Sequence, residues 1–388
     1  MRRPETIDTE TWGQPAPSVV ALERELARVR RERAAHAREQ VATVARAAVV
    51  NIVVVARREV HALRAAKTIA TLAMRHPSRA IIVLTDARDS GPAGISLHAQ
   101  LPSLATPAGD PERAGLVYNE RILVRARGAV DDRISSIVVP LLVPDLPLFL
   151  WWTETPALGS PHFDELLSLA SRLVVDSADF ARPERTVAAL ATACVTDRRC
   201  ALTDLNWARL TPWRELLTQF FDVPAWRMLL ADIRGVRISF AVDADGREIH
   251  PSQALLLVGW LASRLEWRAS DHIAPSEAGG HLFGLVRPDG ERVHIRLRPR
   301  FDRGMSEGDV SGIRIDAHRG GRHTQFRLHR EGGRPYAAAT VTAEGALVSE
   351  RIVPLPTADV VELLGEELTI LASDRVFEDA LALLVTLA

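Results

Sequence analysis

Residues Ala47–Ala56 carry the run VVNIVVV at their centre, β-branched and apolar on both sides of the pleat. A strand with water on one face alternates apolar and polar residues, so a run apolar on both faces needs cover on both. That stretch predicts a central strand of a parallel sheet lying between helices. The following sequence fits. Glu59–Arg75 reads as a helix that stops before Pro77, and Ala80–Leu84 (AIIVL) as a second buried strand. Strand, helix and strand in this order imply a right-handed parallel unit.

The rest of the first half continues the alternation. Residues through Pro17 read as loose, and Ser18 as the N-cap of a long helix with the apolar stripe Val19, Leu22, Leu26 and Val29. Strands are expected around Ile95–Leu101, Arg121–Ala126, Leu148–Trp152 and Leu173–Asp176. Helices are expected over Asp131–Val143, kinked or ended by Pro140, and over His162–Ala170. Gly/Pro-rich loops separate them near Gly91 and over Pro102–Gly115, and Asp131–Asp132 would complement a helix N-terminus. The pattern predicts a Rossmann-like, doubly wound α/β domain over residues 1–180.

From Glu184 to Asp232 the chain reads as mostly helical, a connector that concentrates Trp207, Trp213 and Trp226. Beyond it come a strand at Val236–Val242 and a helix at Ser252–Trp267. Strands follow near Leu282–Arg287, Arg292–Arg298, Gly312–His318, His323–His329, Pro335–Thr342 and Leu347–Val353. Two helices close the chain, Thr357–Leu371 with Thr357 as its cap, and Arg375–Leu384. Grouped strands with helices at both ends indicate an α+β domain with a mainly antiparallel sheet, over residues 181–388 with the connector.

Length and composition suit two such domains: 388 residues, 47% hydrophobic and 25% charged. A net charge of −1 gives no overall attraction to nucleic acid or acidic membranes. The longest apolar stretch, Ile137–Trp152, contains Asp145 and three prolines, and the first residues lack an apolar signal core, so a cytoplasmic chain is expected.

Catalytic signatures are missing where the fold would place them. The first strand is followed by Arg57, Arg58, Glu59 and Val60, without the glycines that let a backbone approach a pyrophosphate. There is no P-loop, no HExxH and no nucleophile elbow; Gly308, Ser311 and Gly312 have the wrong spacing. Lys67 is the only lysine, and Cys194 and Cys200 lie too far apart for a CxxC motif, which leaves two ordinary thiols or a regulatory pair. No catalytic, cofactor-binding or metal-binding residue is assigned, and no cofactor is expected.

What remains is binding chemistry. In the C-terminal strands Val293, Ile295 and Leu297 alternate with His294, Arg296 and Arg298. Ile313 and Ile315 alternate with Arg314, Asp316 and His318, and Phe326 and Leu328 with Gln325, Arg327 and His329. Period two puts the basic side chains on one sheet face, suited to an acidic partner surface or a phosphorylated metabolite, or simply solvated. Trp207, Arg209, Trp213 and Arg214 have the composition of a protein-contact hot spot, with core packing as the alternative. Trp151 and Trp152 end a strand at the sheet edge where ligands of such folds sit, which makes them a candidate pocket wall for a sugar-phosphate enzyme or sensor.

Five stretches in order resemble one family. They are RHPSRAIIVL (Arg75–Leu84), LLVPDLPLFLWW (Leu141–Trp152), VVDSADF (Val174–Phe180), TDLNWARLTPWRELLTQFFD (Thr203–Asp222) and LLLVGWLASRLEW (Leu255–Trp267). Together they resemble the glucose-6-phosphate dehydrogenase assembly protein family, OpcA. The resemblance implies a non-catalytic partner of that dehydrogenase, promoting its oligomeric assembly or activity in the oxidative pentose phosphate pathway. It supplies no contact residues and no cysteine pair to match Cys194 and Cys200. The chain's own oligomeric state is not legible.

Overall fold

A computed structural model describes residues 18–39, 48–86, 94–100, 120–127, 134–180, 182–196, 200–242, 251–276, 279–370 and 372–387. Residues 1–17, the loops near Gly91 and over Pro102–Gly115, and the Asp131–Asp132 pair lie outside them. In chain order the elements are α1 (Val19–Glu39), β1 (Val50–Ala56), α2 (Glu59–Leu72), β2 (Ser78–Asp86), β3 (Gly94–Gln100), β4 (Glu120–Arg127), α3 (Ile134–Val138), β5 (Leu148–Trp152), α4 (Pro161–Leu169) and β6 (Arg172–Val175). There follow α5 (Pro183–Ala191), β7 (Ala201–Asp204), α6 (Leu205–Ala208), α7 (Thr211–Phe220), α8 (Pro224–Arg227), β8 (Ile233–Val242) and α9 (Ser252–Arg264). The last are β9 (Arg268–Ala269), β10 (Ala274–Pro275), β11 (His281–Val286), β12 (Arg292–Phe301), β13 (Val310–Arg319), β14 (Arg322–His329), β15 (Tyr336–Ala343), β16 (Ala346–Pro354), α10 (Val360–Glu367) and α11 (Arg375–Leu387).

The chain forms two compact units. One comprises residues 1–175, 198–203 and 360–372; the other comprises 176–197, 204–359 and 373–388. Against a single cut near residue 180, two short later segments belong with the first unit. One contains β7, a strand inside the stretch that reads as helical: only Leu202 and Thr203 favour a strand in ALTD, and pairing at the sheet edge decides the outcome.

The first unit holds a seven-stranded sheet of order β3-β4-β2-β1-β5-β6-β7. β1 pairs parallel with β2 and β5, β2 with β4, and β5 with β6, while β3 runs antiparallel beside β4. β1 is buried at every position, as its composition requires. Its polar Asn51 is satisfied: Nδ2 donates to the Val143 carbonyl and Oδ1 accepts from the Val143 N–H, both at 2.9 Å. The Ser18 hydroxyl caps α1 by accepting from the Ala21 N–H at 3.2 Å. Beyond α3 the chain tightens into a 3-10 turn over Val139–Leu141, containing Pro140.

The second unit holds a nine-stranded sheet of order β10-β11-β12-β8-β13-β14-β15-β16, with β9 beside β11. β8 and β12 run parallel, and the other pairs are antiparallel. Its apolar face carries Ile238, Leu297, Ile313 and Leu328, all buried, with α7 over β14 and α9 over β8. Phe326 gathers Phe220, Phe221 and Trp226 at ring separations of 5.5, 4.9 and 5.9 Å. α11 packs on α9 so closely that a Cβ at Gly259 would stand 2.5 Å from the Ala380 carbonyl oxygen; only glycine permits that approach. Thr357 precedes α10 without capping it and accepts from Arg330 Nη1 at 3.4 Å. The fold is therefore mixed α/β, with one mostly parallel and one mostly antiparallel sheet.

Candidate functional site

In the first unit the strand order reverses at β1, with β2 on one side and β5 on the other. The crevice beyond these strand ends is where open parallel sheets bind ligands. Here the chain places its own anion. The Glu154 carboxylate, just after β5, accepts from the Arg57 N–H at 3.1 Å and from Arg58 Nε at 2.7 Å, and stands 3.5 Å from His61 Nδ1. The donors a phosphate would use at the start of α2 are thus engaged internally. Trp151 and Trp152, the candidate pocket wall, are only 4% and 2% exposed. Trp152 stacks on His162 and meets Phe163 edge-on, so the pair is interior because β5 is covered on both faces.

The aromatic segment of the second unit is interior as well. Trp207 donates from Nε1 to Asp374 at 2.9 Å, and the Arg214 guanidinium lies 3.6 Å over its ring. Trp213 is buried beneath the Arg330 guanidinium, 5.7 Å away. Arg209 donates to both carboxylate oxygens of Asp176 at 2.6 Å each. Next to this pair, Asp204 Oδ1 accepts from the N–H groups of Ser177 and Asn206 at 2.9 Å. Asn206 donates to Ser177 and Ser252, and Gln253 donates to Asn206 and Asp309. Burial, with the Asp176 charge, pushes the Asp204 carboxyl up to about 6; burial raises Asp309 too. Hot-spot composition here has gone into a buried polar network, which fixes α6 and α9 but offers little to a partner.

The open face of the nine-stranded sheet differs. Strand register sets Arg296 opposite Arg237, Arg237 opposite Arg314, and Arg314 opposite Arg327, a row of four arginines across β12, β8, β13 and β14. The adjacent row on the same face reads Arg298, Ser239, Gly312 and His329. Long side chains around the small Ser239 and Gly312 leave a cavity of about 200 Å³, walled by Arg237, Arg298, Arg300, Arg314, Arg327 and His329. Gly312 is closely packed: a Cβ there would stand 3.1 Å from His329 Nδ1 and 3.2 Å from the Leu328 carbonyl oxygen, so its neighbours would have to shift by a few tenths of an ångström. Arg314 is paired with Asp316, which also receives His323 Nε2 at 3.0 Å. Among the described residues no ion pair is found for Arg237, Arg298, Arg300 or Arg327. Burial and the guanidiniums of Arg314 and Arg296 hold Arg237 below the usual arginine range, and burial with Arg327 and Arg300 lowers His329. The site is a donor-rich, positively charged concavity. Among the described residues no group of His, Cys, Asp and Glu is arranged to hold a metal ion.

Comparison with known proteins gives the family. The model of the glucose-6-phosphate dehydrogenase subunit N-terminal domain matches residues 69–192, and that of the C-terminal domain of the same subunit matches residues 200–381. The chain belongs to the OpcA family. Proteins called OpcA and assigned to the OxPP cycle are similar to it: one from a Synechocystis species is 28% identical over 82% of this chain, and one from Nostoc punctiforme is 30% identical over 63%. The chain spans 65% and 51% of the length of these relatives. Among solved structures, a 3-ketoreductase from Actinomadura kijaniata aligns with 87% of this chain and 95% of its own at 10% identity and a TM-score of 0.48. An oxidoreductase from Sinorhizobium meliloti aligns with 87% and 96% at 11% identity and a TM-score of 0.47. At such scores neither likeness extends to function.

In this OpcA-family chain Arg296, Arg298, Arg314 and Arg327 do share one sheet face, whereas Trp207 and Trp213 are buried and Arg209 and Arg214 are half-buried against partners in their own unit. Arg237, Arg300 and Ser239 join the site without having been singled out from sequence. Arg237 lies in an alternating strand, and only the register reveals that it stands between two other arginines. Cys194 is buried and Cys200 half-buried.

Proposed function

We propose that this chain is a non-catalytic accessory subunit that binds glucose-6-phosphate dehydrogenase and promotes its assembly or activity in the oxidative pentose phosphate pathway. The observation that carries this is the match of both family models, described as domains of a glucose-6-phosphate dehydrogenase subunit, over residues 69–192 and 200–381. The self-filled crevice at Glu154 supports it, because the place a nucleotide phosphate would take in the first unit holds a carboxylate of the chain itself. In this reading the first unit is a Rossmann-like, doubly wound domain put to structural use, and the second an α+β domain that presents the contact surface. The exposed basic face, with Arg298 and Arg327, is the contact candidate that remains open once the tryptophan segment is seen to be interior.

Such a subunit acts by binding the active state of its partner more tightly than the alternatives, since a ligand shifts an equilibrium only by its differential affinity. Among the described residues no helix is long and apolar enough to cross a membrane, which suits a cytoplasmic enzyme partner. The test is to mix the purified chain with the dehydrogenase of its own organism and follow NADPH formation and complex mass together. A heavier complex with a changed rate or substrate affinity is expected. Unchanged mass and rate, with substrate present, would remove the proposal.

A further inference from the structure

We propose that the arginine-walled cavity on β8, β12, β13 and β14 is a binding site for a small organic phosphate carrying two phosphoryl groups. Several covered arginines come with carboxylates, Arg79 with Glu23 and Glu120, Arg209 with Asp176, and Arg287 with Asp289, while Arg330 is held by the Leu355 carbonyl. The cavity arginines break that habit. Arg237, Arg314 and Arg327 stand directly opposite one another on neighbouring strands, a placement of like charges that destabilises a sheet. One carboxylate, Asp316, answers one of them. A cluster of guanidiniums held together with a single internal carboxylate keeps an excess of positive charge, which an anion from outside would complete.

The shape narrows the class. The cavity of about 200 Å³ has room for roughly seven waters, which fits a small phosphorylated skeleton and excludes a helix. Its walls present guanidinium forks, the Ser239 hydroxyl, the Gln325 amide and the His329 ring, and no carboxylate, phenylalanine, tyrosine or tryptophan lines it. Donor forks match phosphate oxygens two at a time, and the missing carboxylate rules against a cation. A single His ring, without phenylalanine, tyrosine or tryptophan, makes no platform for successive bases, which disfavours a nucleic acid strand. Neighbouring strands lie about 4.8 Å apart, so Arg237 to Arg327 covers roughly 10 Å, enough for two phosphoryl groups at opposite ends of one small molecule. The concavity itself takes such a ligand, while a protein surface would meet the face around it as a plane.

The test is calorimetric titration of the full chain at 150 mM NaCl with three probes: inorganic phosphate, pyrophosphate and fructose 1,6-bisphosphate, with sulfate as control. Saturable binding of fructose 1,6-bisphosphate is expected, tighter than inorganic phosphate by tenfold or more. Arg298→Gln and Arg327→Gln, at exposed positions outside the core, are each expected to weaken it about tenfold while the circular dichroism spectrum stays unchanged and the melting temperature does not fall. Loss in Arg327→Gln together with recovery in Arg327→Lys would support charge at that position directly. Three results overturn the proposal: no saturable binding by any probe in folded protein; sulfate binding as well as the bisphosphate, which marks an adventitious ion only; or equal binding by the parent and both variants. Loss of dehydrogenase binding in Arg298→Gln and Arg327→Gln, with no phosphate bound by the parent, would overturn the phosphate site and leave the face as a protein contact alone. Because the titration contains no dehydrogenase, it fails or succeeds independently of the accessory role.

Discussion

Arg209 and Arg237 belong to the same unit and are both largely covered, yet their surroundings are opposite. Arg209 has a carboxylate across a two-pronged bond and a network of amides and hydroxyls behind it. Arg237 has an arginine on either side in the sheet and no ion pair among the described residues. The first arrangement is what a fold needs in order to keep a charge inside. The second is a cost to the fold, and it makes sense as a surface held ready for an anion. The difference separates arginines that build the unit from arginines that the unit presents.

The sharpest way to break the comparison is to remove the paired arginine. Arg209→Ala leaves the buried Asp176 carboxylate beside Asp204 with its guanidinium gone. A loss of about 3–5 kcal/mol is expected, measured by urea unfolding at pH 7. A loss below about 1 kcal/mol would mean that the pair is solvated and that the two classes of arginine are not distinct.

The next effect is on pH. The Asp204 carboxyl titrates at about 6 in the folded chain, against an ordinary value of 3.8. Between those values the folded state holds a proton that the unfolded state has released. This group's contribution to stability is therefore fully present below about pH 4 and lost as pH rises to about 6, by at most about 3 kcal/mol. Asp204→Asn keeps an oxygen to accept from the Ser177 and Asn206 N–H groups and cannot titrate. Unfolding free energies at pH 4.5 and 6.5 are expected to converge in the variant. A residual slope of the same sign remains from Asp309, whose carboxyl burial also raises. An unaltered slope would place the titration elsewhere.

A smaller effect is expected at Glu154. Glu154→Ala frees the Arg57 N–H and Arg58 at the head of α2 and should cost about 1–2 kcal/mol. It also opens the crevice, so the variant is expected to gain weak sulfate binding that the parent lacks, read by calorimetry. Unchanged stability would show that Glu154 does not hold the turn.

How much of this was legible follows from which physical signal each feature carries. The buried strands β1, β2 and β5 announce themselves by continuous apolar runs, and β12, β13 and β14 by strict alternation; their residues depart from the expected spans only at the ends. Alternation also placed Arg296, Arg298, Arg314 and Arg327 on one face. It says nothing of which residue lies across from which, because register is set by pairing between segments distant in sequence. The row through Arg237 was therefore unreadable. Tryptophan and arginine side by side at Trp207–Arg214 are ambiguous for another reason: a ring stacked under a guanidinium looks the same in composition whether its partner belongs to the same chain or another one.

The smallest effect tests the other half of the comparison, and its sign carries the information. Arg327→Gln keeps most of the side chain's apolar stem over the sheet and removes one charge from the row. If Arg327 opposes Arg314 without an internal partner, losing it relieves repulsion, and the variant should be as stable as the parent or gain up to about 1 kcal/mol. Salt separates relief from simple neutrality. The parent should gain more stability than the variant between 20 and 500 mM NaCl, because screening does for the parent what the substitution has already done for the variant. A loss of about 2 kcal/mol or more would instead mean that Arg327 is paired like Arg209, and the row would then belong to the architecture of the unit instead of the surface it presents.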